Sequence, residues 1–229
     1  MSGRFRRIVA EFLGSVLLTA LVVGSGIAAA LLSPNDVGVE LLENALATAM
    51  GLFVLVLIFA PVSGAHFNPV VSIVDAAFGS RPWRDVAVYV PAQVAGCIVG
   101  AILANAMFAL PTVTISTTER LTGPHFLAEI VATAGLILII FSLARSGRSA
   151  WAAPAVGAYI GAAYFFTSST SFANPAITVG RMFSDTFAGI APSSTLGFVG
   201  AQLIGGAIGF SIIRFLYPQT ISAAASKSR

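Results

Sequence analysis

Four polar residues stand where a mostly apolar chain has no ordinary use for them. Asn68-Pro69 lies in Gly64-Ala65-His66-Phe67-Asn68-Pro69-Val70, Asn174-Pro175 lies in Ser171-Phe172-Ala173-Asn174-Pro175-Ala176, and Glu11 and Glu129 interrupt long hydrophobic runs. Asparagine is a good helix N-cap and proline tolerates the first helical position, so each Asn-Pro marks a loop turning into a helix. A helix begun inside a bilayer points unpaired N–H groups and the positive end of its dipole at the membrane centre, which is tolerable only beside a water-filled path. Two such starts are a pore signature. A carboxylate within a span is a functional flag by default. It serves either as a proton relay or as an acceptor for the exposed backbone N–H groups of a re-entrant loop.

The elements that must position these residues follow from composition. Of 229 residues, 57% are hydrophobic and 9% charged, with mean hydropathy +0.92, far from the ~25% charge of a soluble domain. Windows long enough to cross a bilayer fall at about Ile8 to Leu32, Leu42 to Pro61, Val86 to Leu110, Phe126 to Ala144, Trp151 to Phe166 and Leu196 to Tyr217. Two further apolar pieces, Pro69 to Phe78 and Pro175 to Phe183, are too short to cross. The expected architecture is all-α: six transmembrane helices plus two re-entrant half-helices. The first span lacks a convincing cleavage site and is expected to stay as a helix.

The chain also matches itself. Ala10-Glu11-Phe12-Leu13-Gly14 answers Ala128-Glu129-Ile130-Val131-Ala132, and Ala92-Gln93-Val94-Ala95-Gly96 answers Ala201-Gln202-Leu203-Ile204-Gly205. Three spans separate each element from its copy, so the second half enters from the opposite side, giving inverted repeats whose site lies at the midplane. The halves are expected at about 1–110 and 124–229 of a single channel domain spanning 1–229, joined by the Thr-, Ser- and Pro-rich connection Leu110 to Gly123. Glycine pairs four apart, Gly96 with Gly100, Gly205 with Gly209 and Gly157 with Gly161, suit close helix crossings. Arg4, Arg6, Arg7, Arg81, Arg84, Arg145, Arg148, Lys227 and Arg229 fall on one side; the other holds Asp36, Glu40, Glu43, Glu119 and Asp185, with Arg120 and Arg181. Both termini are therefore expected to be cytoplasmic. The arginines follow membrane sidedness, which leaves no support for nucleic-acid binding. With Cys97 as the single cysteine and two scattered histidines, nothing suggests an enzyme, a metal cluster or a cofactor.

At these motifs the chain resembles the major intrinsic protein family, the aquaporins and aquaglyceroporins, along all six spans. The resemblance implies a bundle of tilted helices with half-helices meeting tip to tip, one pore per subunit and a homotetramer in the lipid bilayer. Asn68 and Asn174 would then be the pore-centre donors, and Glu11 and Glu129 structural carboxylates. His66, on the cytoplasmic approach, either lines the pore or is a satisfied loop residue.

Water-selective relatives carry an arginine three residues after the second asparagine; here that position is Ile177. The other filter positions carried over are Ser171, Met50 and Tyr164, or Phe165 if the gap is placed differently. Arg181, one helical turn beyond Ile177, either restores a donor at the outer mouth or is solvated at a helix end. An apolar filter suits neutral solutes bulkier than water. The stretch Tyr164-Phe165-Phe166-Thr167-Ser168-Ser169 is similar to bacterial members associated with arsenic resistance. That likeness implies a bacterial inner-membrane location and passage of neutral arsenic species beside glycerol-like polyols and water. The alternatives are a water-selective channel and, from another class, a proton-coupled secondary transporter.

Overall fold

The computed structural model describes residues 3–218; Lys227 and Arg229, expected on the cytoplasmic side, lie outside the described residues. Within the described residues eight α-helices run in the order α1 (Gly3–Leu32), α2 (Val37–Ser63), α3 (Pro69–Ala77), α4 (Trp83–Met107), α5 (Gly123–Arg145), α6 (Ala152–Phe166), α7 (Pro175–Gly180) and α8 (Pro192–Leu216). Single 3-10 turns at Ser149–Trp151 and Arg181–Phe183 precede α6 and follow α7. Among the described residues there is no strand.

Among the described residues, five helices are long and apolar enough to cross a membrane: α1, α2, α4, α5 and α8. The sixth expected span is α6, whose fifteen residues reach about 22 Å at 1.5 Å each, short of a ~30 Å hydrocarbon core. The 3-10 turn Ser149–Trp151 delays the regular helix to Ala152, and Pro154 falls in its first turn, where a missing N–H costs nothing. The short apolar pieces are α3 and α7, as their lengths require.

Local chemistry sets the boundaries. Asp36 caps α2 by accepting from Gly38 N and Val39 N, and Thr122 caps α5 by accepting from His125 N. Asn68 and Asn174 cap α3 and α7 with Pro69 and Pro175 at the first helical position. The bundle packs α1 against α4 and α2, α5 against α8 and α6, and α2 against α6. Close crossings rest on glycine. A Cβ at Gly96 would lie 2.5 Å from Phe12 O of α1, and one at Gly205 would lie 2.5 Å from Ile130 O of α5. The small half-helix α7 nests against α4, where a Cβ at Gly180 would come within 2.6 Å of Cys97 O.

The connection between the halves is not a free linker. Ser116 N donates to Met182 O at 2.8 Å, and Ala191 N donates to Thr118 O at 2.8 Å, so the strap lies across the end of α7. Large side chains on α2, among them Leu42, Leu46, Leu57 and Ile58, are exposed, as lipid-facing residues must be.

Candidate functional site

Each half-helix is preceded by a loop that would be unaffordable without a buried acceptor. Backbone φ is positive at Gly64, Ala65 and Phe67, and again at Thr170, Ser171 and Ala173. Five of these six residues carry a Cβ in the left-handed region, a strain that persists only where surroundings impose it. Glu11 imposes it on the first loop by accepting from His66 N (3.0 Å), Phe67 N (2.7 Å), Ser63 Oγ (2.6 Å) and Gln93 Nε2 (2.8 Å). Glu129 does the same for the second, accepting from Phe172 N (2.9 Å), Ala173 N (2.9 Å), Ser169 Oγ (2.6 Å) and Gln202 Nε2 (2.7 Å). Both glutamates are 0% exposed, and neither borders the central cavity. Of the two uses expected for such carboxylates, the geometry is that of the loop acceptor.

The two loops bring the half-helices together at their N-terminal ends. Asn68 Oδ1 accepts from Val70 N at 2.9 Å, and its Nδ2 donates to Ala173 O at 2.7 Å. Asn174 Oδ1 accepts from Ala176 N at 2.9 Å, and its Nδ2 donates to Phe67 O at 2.7 Å. The capping role is the one the sequence indicates, whereas the crosswise bonds between halves were invisible in it. An amide carries two N–H donors, so one on each asparagine remains for the cavity that both residues border.

That cavity holds about 200 Å³. At the α3 end its wall includes His66 and Asp75, and at the α7 end Tyr164, Ser171, Ile177 and Arg181. Tyr164, not Phe165, faces inward: Phe165 is 54% exposed, while Tyr164 OH lies 3.2 Å from Thr48 Oγ1. Met50 is a correction. It is 62% exposed on the outer face of α2, and Thr48 and Leu52 border the cavity instead. Two residues along a helix is about 200° of rotation, so a register error of two moves a side chain to the opposite face.

Ile177 is buried against the cavity and leaves it no donor there. Ser171 borders it, and its buried Oγ has no hydrogen-bond partner among the described residues. Arg181 is 3% exposed and hence not a solvated helix end. Its Nε donates to Ala188 O and its guanidinium lies 3.5 Å from the centre of the Phe172 ring.

His66 is also held: Nδ1 lies 2.9 Å from Ser72 Oγ and Nε2 lies 3.4 Å from Asp75, which Arg81 meets at 3.0 Å. Counted from each asparagine, the third residues are Val71 and Ile177 and the seventh are Asp75 and Arg181. Equivalent positions thus carry an acid neutralised by Arg81 in one half and, in the other, an arginine without an ion-pair partner among the described residues. Arg120, which sequence reasoning treated only as loop charge, lies in this neighbourhood as well, its guanidinium 5.5 Å from the Phe172 ring.

A helical bundle long and apolar enough for a bilayer, with two half-helices abutting at a cavity edged by amide donors, defines a membrane channel. Comparison with known proteins agrees. Residues 2–172 match the family model "Major intrinsic protein", and the chain belongs to that family. It is 50% identical over 214 residues to the aquaglyceroporin AqpS of Rhizobium meliloti (strain 1021), covering 92% of this chain and 90% of the relative. It is 30% identical over 224 residues to aquaporin NIP2-1 of Oryza sativa subsp. japonica, covering 92% and 71% respectively. The fold matches the X-ray structure of the aquaglyceroporin from Plasmodium falciparum with TM-score 0.73 at 21% identity, over 93% of this chain and 96% of that one. The protein is integral to the membrane and its family are channels, not enzymes.

Proposed function

We propose that this chain is a passive, aquaglyceroporin-type channel for small neutral solutes: glycerol-like polyols, neutral arsenic species such as arsenite and its methylated forms, and water. The observation that carries the reading is Ile177 bordering the cavity beside Tyr164, Ser171 and Thr48. An apolar residue there widens the wall and removes a donor, which favours solutes with more carbon or less polarity than water. Arg181 supplies donors at the outer mouth, one turn on. Asn68 and Asn174 each present one amide N–H to a passing oxygen, while two half-helix N-termini raise the potential against cations. The glutamates, committed to backbone N–H groups, leave no free carboxylate to relay protons, which favours a channel over a coupled transporter.

The same reading takes residues 1–110 and 124–229 as inverted halves of one channel domain, both termini as cytoplasmic, the location as the bacterial plasma membrane and the assembly as a homotetramer. Stopped-flow swelling of proteoliposomes under water, glycerol and arsenite gradients tests it, wild type beside Ile177→Arg. Wild type is expected to pass all three without saturation or dependence on a proton gradient, and the variant to keep water and lose the larger solutes. Equal loss of everything, loss of nothing, or flux that follows the proton gradient would overturn it.

A further inference from the structure

Arg120 belongs to the connection between the halves and does not border the cavity, yet its bonds converge on the same short segment that holds Arg181. Arg120 Nε donates to Gly189 O at 2.6 Å and Nη2 donates to Phe187 O at 2.7 Å. The carbonyl between them, that of Ala188, accepts from Arg181 Nε. Three successive carbonyls are therefore gripped by two guanidiniums, one from the strap and one from the turn ending α7. Both guanidiniums also sit against one ring, Phe172, at 5.5 and 3.5 Å. Phe172 is in turn fixed through its backbone N–H to Glu129 at 2.9 Å.

Neither arginine has an ion-pair partner among the described residues. Like charges this close repel, and the carbonyls and the ring face are what offset the cost of keeping both out of water. Among the described residues Arg181 donates through Nε, leaving both Nη groups without a partner there, in a cavity wall that includes Ser171, whose Oγ also lacks a partner among the described residues.

We infer that Arg120 is a positioning residue for the outer filter: by fixing the carbonyls of Phe187, Ala188 and Gly189, it fixes the acceptor that aims Arg181 into the pore. The inference rests on reading Arg181 as the donor of the outer mouth. It makes solute selectivity depend on a side chain that no solute touches.

The test is the glycerol-to-water permeability ratio of proteoliposomes, with the leak of sodium ions measured in parallel, for Arg120→Gln, Arg120→Lys, Arg181→Gln, the double glutamine variant and Phe172→Leu. Arg181→Gln is expected to raise the ratio by roughly two- to tenfold, the range one ordinary hydrogen bond corresponds to, and to raise the leak. Arg120→Gln should shift both in the same direction, Arg120→Lys should fall between it and wild type, and the double variant should go no further than Arg181→Gln alone. Phe172→Leu, which keeps the apolar packing and loses the ring face, should shift the ratio likewise and serves if Arg120→Gln does not fold. If Arg181→Gln moves the ratio and neither Arg120→Gln nor Phe172→Leu does, or if the double variant is additive, the positioning role is wrong and the filter reading stands. If Arg181→Gln itself leaves the ratio at the wild-type value, the filter reading of Arg181 fails and this inference with it.

Discussion

Replacing Glu129 by glutamine separates the two uses of a buried carboxylate by a margin the structure sets. The carboxylate accepts four bonds, two on each oxygen: Ser169 Oγ and Phe172 N on one, Ala173 N and Gln202 Nε2 on the other. A glutamine keeps one oxygen and turns an NH₂ toward the second pair, so two donors meet a donor. Gln202 can turn its amide over and present oxygen instead, but the Ala173 N–H belongs to the backbone and has no such freedom. A buried unsatisfied donor costs about 1–3 kcal/mol. The expected loss is therefore roughly 1–3 kcal/mol if Gln202 turns and about 2–6 kcal/mol if it does not. At about 2–4 °C per kcal/mol for a chain of this size, the apparent Tm falls by several degrees. Thermal monodispersity in detergent reads the loss, and solute swelling of proteoliposomes should fall with it, because Ser171 and Ala173 are carried on the freed loop. A Glu129→Gln protein as stable as wild type, with solute flux that has lost a dependence on the proton gradient, would refute the structural role and restore the relay.

Two other changes probe the pore and its packing. Asn174→Asp keeps the cap oxygen but loses the donor to Phe67 O and sets a negative charge opposite that carbonyl; it is expected to cut neutral-solute flux and admit cations, and liposomes as ion-tight as wild type would count against the pore-centre assignment. Gly180→Ala forces a methyl to within 2.6 Å of Cys97 O, an overpacking worth about 1–3 kcal/mol; the expected result is a lower Tm with a shifted glycerol-to-water ratio, since Arg181 follows directly, and an unaltered Tm would show that α7 can move away from α4.

The residues with local rules were the legible ones. Asn-Pro announces a helix start wherever it lies, so α3 and α7 begin where the chain said, and the family resemblance pointed to the loop-acceptor role of Glu11 and Glu129. Facing within α2 was legible and was missed. Glu40, Asn44 and Thr48 stand four apart, so they share one face, and that face is the buried one; following this polar stripe would have put Thr48 at the cavity, whereas the motif alignment put Met50 there. Arg120 was missed for a different reason. Its acceptors are backbone oxygens 67 and 69 residues away, and a carbonyl is the same in every residue, so no pattern of side chains can reveal the pairing. Ile177 was readable because its position is counted from Asn174, but the burial of Arg181 was not, because burial of a charge depends on what folds over it.

The crossed amides also dictate an order of assembly. Asn68 donates to an oxygen that comes 105 residues later in the chain, and Asn174 to one that precedes it by 107. While the ribosome is still making the second half, the first loop therefore has neither its partner nor a finished wall, and an interrupted chain contains no conduit to leak through. The narrow middle of the passage therefore needs both halves in place, since each asparagine is held by the half it does not belong to.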